Sequence, residues 1–268
     1  MEQLKNHIMD SRKIVIKIGS NVLSDKDGVV NKAVIHNIVE QVNSLMEMGK
    51  QVILVSSGAG ICGVGAINKW SRRGDINYKQ ALCAIGQVEL LMAYKEYFGD
   101  YDIHVAQMLL TRDDFDDNHR TLNIRNTMFT LIDEGVVPIV NENDSVCVEE
   151  IKIGDNDTLA ALTSILWNAD LMIILSDIDG VFDSDPKSNS NAKLIETVGN
   201  AEKLFGSIDI GGTSSFGTGG ISSKIEAAAK VNQYGIPMIL LNGKKTDIIR
   251  NCITGTSKGT LFTGRIEK

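Results

Sequence analysis

Apolar positions along this chain switch between two rhythms. Short unbroken runs of β-branched and aliphatic residues occupy 13–18, 51–56, 103–108, 136–140, 171–176 and 237–241. Between them lie longer stretches whose apolar residues recur every three or four positions. In 32–48, for instance, Ile35, Ile38, Val39, Val42, Leu45 and Met46 mark one helical face before Gly49 ends it. The same spacing predicts helices near 60–69, 77–98, 120–134, 158–167 and 222–234. A strand that alternated apolar with polar residues would have one wet face; these do not alternate, so both faces are covered. Strands buried on both sides and alternating with helices imply an α/β fold, a three-layer αβα sandwich around a mostly parallel sheet. With three prolines and no low-complexity linker, residues 1–268 are expected to form a single domain, its two lobes sharing one sheet.

In open parallel sheets ligands gather beyond the carboxyl ends of the strands. Four polar clusters fall at such ends here: Lys17-Ile-Gly-Ser20, Ser56-Ser-Gly-Ala59, Asn141-Glu-Asn-Asp144 and Ser176-Asp177. A lysine in the otherwise apolar run Ile14-Val-Ile-Lys-Ile18 is costly unless an anion answers it, so Lys17 either reaches a ligand at the sheet edge or snorkels to water from an edge strand. Gly217-Thr-Gly-Gly-Ile-Ser-Ser-Lys224 leads into a helix, and its backbone N–H groups with the Lys224 charge suit a polyphosphate. The plainer reading is a turn in which Ser222 caps that helix. Gly154-Asp-Asn-Asp157 exceeds what one helix cap needs. With Asn141–Asp144 it suggests a pocket for a small charged metabolite, in which Asp144 and Asn156 bind an amino group and Asp157 orients cations. A hairpin over 146–153 would cover it. At Ser57 and Gly58 a helix start offers N–H groups to a carboxylate.

Composition removes several classes. A net charge of −7 leaves no footprint for a nucleic-acid backbone. The four cysteines, Cys62, Cys83, Cys147 and Cys252, show no metal or disulfide spacing, and no apolar run spans a membrane, so a reduced, cytoplasmic setting is expected. Gly58-Ala-Gly-Ile-Cys-Gly63 fits the dinucleotide pattern, but the acidic residue wanted about 20 positions onward is absent, which leaves an NAD-dependent oxidoreductase as the weaker alternative. Asp113, Asp114, Asp116, Asp117 and His119 read as helix-start and solvated charge before they read as metal ligands.

Taken in order, these clusters, together with Gln107-Met-Leu-Leu-Thr111 and Gly180-Val-Phe-Asp-Ser-Asp-Pro186, resemble the glutamate 5-kinases of the amino-acid kinase family over essentially the whole chain. The resemblance implies transfer of the ATP γ-phosphoryl group to the side-chain carboxylate of L-glutamate, the first step toward proline. By that likeness Lys17, Lys224 and Asp157 would be catalytic, and Ser57, Gly58, Asp144 and Asn156 would bind glutamate. Lys17, Ser176, Asp177, Thr218, Gly219, Gly220, Ile221, Ser222, Ser223 and Lys224 would bind ATP, with Mg2+ on its phosphates rather than on protein ligands. Residues 1–165 would form the amino-acid lobe and 166–268 the nucleotide lobe. A short form without the family's C-terminal RNA-binding-like domain is expected, and so is a homo-oligomer; proline feedback is common in the family. A non-catalytic amino-acid sensor is the remaining alternative, and it would have no need of both lysines.

Overall fold

In the computed structural model, residues 1–24, 30–68, 75–147, 156–186, 188–189, 191–205 and 220–264 are described. Eight strands among them form one sheet in the order β3-β4-β2-β1-β5-β7-β8-β6. These are β1 (Lys13–Ile18), β2 (Gln51–Ser56), β3 (Val105–Leu110), β4 (Val137–Glu142), β5 (Leu171–Ser176), β6 (Thr197–Val198), β7 (Met238–Asn242) and β8 (Thr260–Phe262). Every pairing is parallel except β7 with β8. The central strands are the unbroken apolar runs, and they are buried on both faces for the reason their sequence implied.

The helices, in chain order, are α1 (Glu2–Asp10), α2 (Ser20–Leu23), α3 (Lys32–Glu47), α4 (Ala59–Ile67), α5 (Ile76–Gly99), α6 (Asp113–Asp116) and α7 (Asn118–Asp133), then α8 (Asn156–Trp167), α9 (Ala201–Phe205), α10 (Ile221–Asn232) and α11 (Ile248–Ile253). Strand side chains alternate between two apolar layers. Ile14, Ile16, Val52, Leu54, Ile173 and Leu175 pack with α3 and α5; Val15, Ile53, Val55, Met172 and Ile174 pack with α8 and α10. Local caps set the helix starts. Asn31 accepts from the Ala33 N–H, Asp75 from that of Tyr78 and Asp117 from that of Arg120.

Several expectations shift. Strand β3 begins two residues later than the apolar run suggested, and β4 runs on to Glu142, so Asn141 and Glu142 belong to the strand and not to a loop beyond it. Ser222 does not cap α10; Gly220 holds that position, without a side-chain cap. Most of the 146–153 hairpin lies outside the described residues. Asp114 accepts from Thr111 N and pairs with Arg120 at 2.8 Å, and Asp117 caps α7, which accounts for two of that acidic cluster as local structure.

Within 58–63, Gly63 has a packing role. A Cβ on Gly63 would overlap the backbone of Leu82, and one on Gly86 would overlap that of Ala59, so α4 and α5 cross at backbone contact. That close crossing accounts for the last glycine of the dinucleotide-like pattern. Among the described residues no helix is long and apolar enough to cross a membrane.

Candidate functional site

Because β1, β2, β4 and β5 run parallel, their carboxyl ends share one edge, and four polar clusters meet there. Lys17 lies in the central strand β1, opposite Val55 on one side and Ile174 on the other. It is therefore not on an edge strand and does not snorkel; it is only 7% exposed. Alternation turns it toward the layer of α8 and α10. There its Nζ sits 2.6 Å from Asp157 Oδ1, in the first turn of α8.

The other Asp157 oxygen is held from α10. Lys224 Nζ lies 3.2 Å from Oδ2, and Ser223 Oγ donates to the same oxygen at 2.7 Å. Lys224 also donates to Gly220 O at 3.3 Å, and that carbonyl lies 3.0 Å from Ser223 Oγ as an alternative acceptor for its single hydrogen, which keeps the helix start close to the carboxylate. Two lysines about 200 residues apart in sequence thus meet on one carboxylate that is 1% exposed. Burial by itself would raise the Asp157 pKa. The Lys17 and Lys224 charges outweigh it and hold the carboxyl well below its ordinary range. One negative and two positive charges leave the cluster with an excess of one positive charge, directed at whatever anion arrives.

Beside it lies a neutral cluster. Asn156, the residue before Asp157, donates through Nδ2 to Ser57 Oγ at 2.8 Å and to Asn141 Oδ1 at 3.0 Å. Asn141 Oδ1 also accepts from the Glu142 N–H at 2.9 Å. Asn141 Nδ2 and Asn156 Oδ1 are buried and have no partner among the described residues. A spare donor and a spare acceptor side by side suit a ligand carrying both kinds of group. Asn141 was not singled out from the sequence, where it reads as one of several amides after a strand; its position inside β4 is what aims it here.

Asp144 follows β4 in a turn, where it accepts from the Cys83 thiol of α5; burial first, then the Asp144 carboxylate, push that thiol pKa up. Ser176 ends β5 and donates to Asp177 Oδ1 at 3.3 Å, while Asn21 of α2 donates to Asp177 Oδ2 at 3.0 Å. Gly58 starts α4 with a φ of +105°, a conformation that favours glycine. Gly220, Ile221 and Ser222 are half-buried at the start of α10. Thr218 and Gly219 lie outside the described residues.

Both oxygens of Asp157 face cations, Lys17 on Oδ1 and Lys224 on Oδ2, and this local positive charge opposes a divalent ion bound directly to that carboxylate. Among the described residues no group of three or more His, Cys, Asp or Glu side chains is placed to hold a metal ion.

The model of the amino acid kinase family matches residues 12–242. A glutamate 5-kinase of Alkaliphilus metalliredigens is 60% identical over 255 residues, covering 95% of this chain and 97% of the relative. A glutamate 5-kinase of Clostridium acetobutylicum is 43% identical, with 98% of each chain covered. A glutamate 5-kinase of Geobacter metallireducens is longer; the match takes in 94% of this chain and 67% of that one. The fold resembles that of the UMP kinase from Ureaplasma parvum, with a TM-score of 0.66 at 18% identity over 94% of this chain and 98% of the other. UMP kinase from Bacillus anthracis gives 0.64 at 20% identity over 96% and 97%. The chain belongs to the amino acid kinase family and, within it, to the glutamate 5-kinases.

Proposed function

We propose that the protein transfers the γ-phosphoryl group of ATP to the side-chain carboxylate of L-glutamate, giving L-glutamyl 5-phosphate and ADP and opening the route to proline. The observation that carries this reading is the buried Lys17–Asp157–Lys224 cluster. A glutamate carboxylate, with a reference pKa of about 4.3, is already an anion at neutral pH and needs no general base. A carboxylate oxygen attacks Pγ, the bond from Pγ to the β-phosphate oxygen breaks, and ADP leaves with the electron pair. No proton moves.

The difficulty is to bring two anions together, so catalysis becomes a matter of placing them and neutralising their charge. Lys17 and Lys224 are assigned to the transferring group, and Asp157 to holding both amines on it. Ser57, Gly58, Asp144 and Asn156 are assigned to glutamate, with Asn141 added through its contact with Asn156. Ser176, Asp177 and residues 218–224 are assigned to ATP. Mg2+, when bound with ATP, neutralises phosphate charge. On this assignment residues 1–165 serve mainly the amino acid and 166–268 mainly the nucleotide. Four free thiols support a reducing cytoplasmic setting. Assembly as a homo-oligomer and inhibition by proline rest on family likeness alone.

The decisive assay supplies Mg-ATP with glutamate, aspartate, N-acetylglutamate or UMP, traps acyl phosphate with hydroxylamine and follows ADP. Glutamate alone is expected to yield both hydroxamate and ADP. Turnover with another acceptor and none with glutamate would overturn the assignment.

A further inference from the structure

We propose that Tyr94 and Ser56 form a buried relay that fixes the Ser57–Gly58 peptide, so that Tyr94 acts as a positioning residue for the glutamate carboxylate. The inference rests on the glutamate reading above and adds a residue that touches no substrate.

Tyr94 lies on α5, fully buried in the apolar layer beside Phe98, with ring centroids 6.4 Å apart. A phenol in such a place is unfavourable relative to phenylalanine unless its hydroxyl is satisfied. Its partner is Ser56, the last residue of β2 and equally buried, with Tyr94 Oη and Ser56 Oγ 2.9 Å apart. Ser56 Oγ in turn donates to the Ser57 carbonyl at 3.1 Å. A serine hydroxyl carries one hydrogen. Either hydroxyl could donate across the Tyr94–Ser56 contact, but Tyr94 Oη has no other partner among the described residues, so the assignment that uses both hydrogens runs one way: Tyr94 O–H to Ser56 Oγ, Ser56 O–H to Ser57 C=O. Burial pushes the phenol pKa up, so the donor keeps its proton.

The direction of this chain has a consequence for the next amide. In a trans peptide the carbonyl of one residue and the N–H of the following one point opposite ways. Drawing the Ser57 carbonyl toward Tyr94 turns the Gly58 N–H away from it. Val52 and Leu54 share the Tyr94 layer, and Ile53 and Val55 the opposite one, so alternation sends Ser56 toward Tyr94 and Ser57 toward α8. The Ser57 hydroxyl indeed meets Asn156 there. The Gly58 N–H, which donates to no described residue, therefore faces the same side as Asn156 and the two-lysine cluster. The Gly58 φ of +105° leaves the turn open to other conformations, and the relay selects one of them.

The test uses Tyr94→Phe, Ser56→Ala and the double variant of the full chain, with separate steady-state measurements for glutamate and ATP. Tyr94→Phe keeps the ring and is expected to lower kcat/KM for glutamate by about tenfold while the KM for ATP stays within about twofold. Ser56→Ala, one atom smaller, should give the same split, and the double variant should fall no further than the worse single. Wild-type kcat/KM for glutamate in Tyr94→Phe, equal losses toward both substrates, or additive losses would each overturn the relay. Should Tyr94→Phe fail to fold, Ser56→Ala alone decides the matter by the same split between glutamate and ATP. A wild-type chain without glutamate-dependent ADP release would instead sink the glutamate reading itself, before any variant is compared.

Discussion

Two neighbouring clusters at the sheet edge are built on opposite principles. Around Asp157 each oxygen faces a cation: Oδ1 meets Lys17 as an ion pair without a formal hydrogen bond, and Oδ2 is held by Lys224 and Ser223. Around Asn156 the hydrogen bonding is incomplete, with Asn141 Nδ2 and Asn156 Oδ1 unpartnered among the described residues. They differ as well in what leaving them alone would cost. Buried unpaired charges are far more costly than buried unpaired amides, so the charged cluster must hold itself together without a ligand while the amide cluster can wait for one. The difference suggests a division of labour: net positive charge for the step that moves a phosphoryl group, open hydrogen bonds for the step that recognises an amino acid.

The largest expected effect comes from removing a cation. Lys17→Ala or Lys224→Ala should reduce kcat by about 10²–10³, the range for losing one electrostatic contact to a transition state, with a smaller change in the glutamate KM. Unchanged turnover in either variant would take that lysine out of the chemistry and erase the functional half of the comparison.

Next in size is removal of the shared anion. Asp157→Asn leaves two buried cations facing each other without a counter-charge, and breaking a buried pair in this way costs about 3–5 kcal/mol. Chemical denaturation of the ligand-free chain is the measurement. A loss below about 1 kcal/mol would show that the cluster relaxes into water and is not held as a closed unit. On the neutral side, Asn156→Ala or Asn141→Ala should raise the glutamate KM by about tenfold, the scale of one or two neutral hydrogen bonds, and leave the ATP KM alone. Equal effects on both substrates would dissolve the distinction between the clusters.

How far such contrasts can be read from sequence depends on how each residue announces itself. The strands β1, β2 and β5 are plain because both faces are apolar, and Lys17 is conspicuous for interrupting one of them. That its partner is Asp157, 140 positions away, is a fact of tertiary packing that no local pattern contains. Asn141 was obscured by the boundary of β4, since polar residues at a strand end look like loop. Tyr94 falls at helical spacing within α5 and reads as core, which it is; only its hydroxyl contact reveals more. The short elements β6, β8 and α11 carry too few residues for a periodic signal, and α1, although as long as α4, buries only Leu4 and Ile8 and is not read as a helix from the sequence.

The smallest effect is an acid dependence, and its sign follows from the depressed Asp157 pKa. A carboxyl that is more acidic when folded contributes stability that is fully present above the unfolded value, about 3.9. That contribution declines as pH falls below this value toward the lower folded pKa. Asp114 and Asp179 are depressed as well and would add to any acid melt of the wild type alone. Comparison with Asp157→Asn removes them, because both proteins carry them unchanged. The gap in Tm between wild type and variant should therefore stay constant from about pH 7 to pH 5 and narrow below about pH 4. A gap that persists unaltered to about pH 2.5 would mean that the carboxylate's shape and hydrogen bonds, and not its charge, hold the two lysines in place. The contrast between a charged cluster and a neutral one would then have to be abandoned.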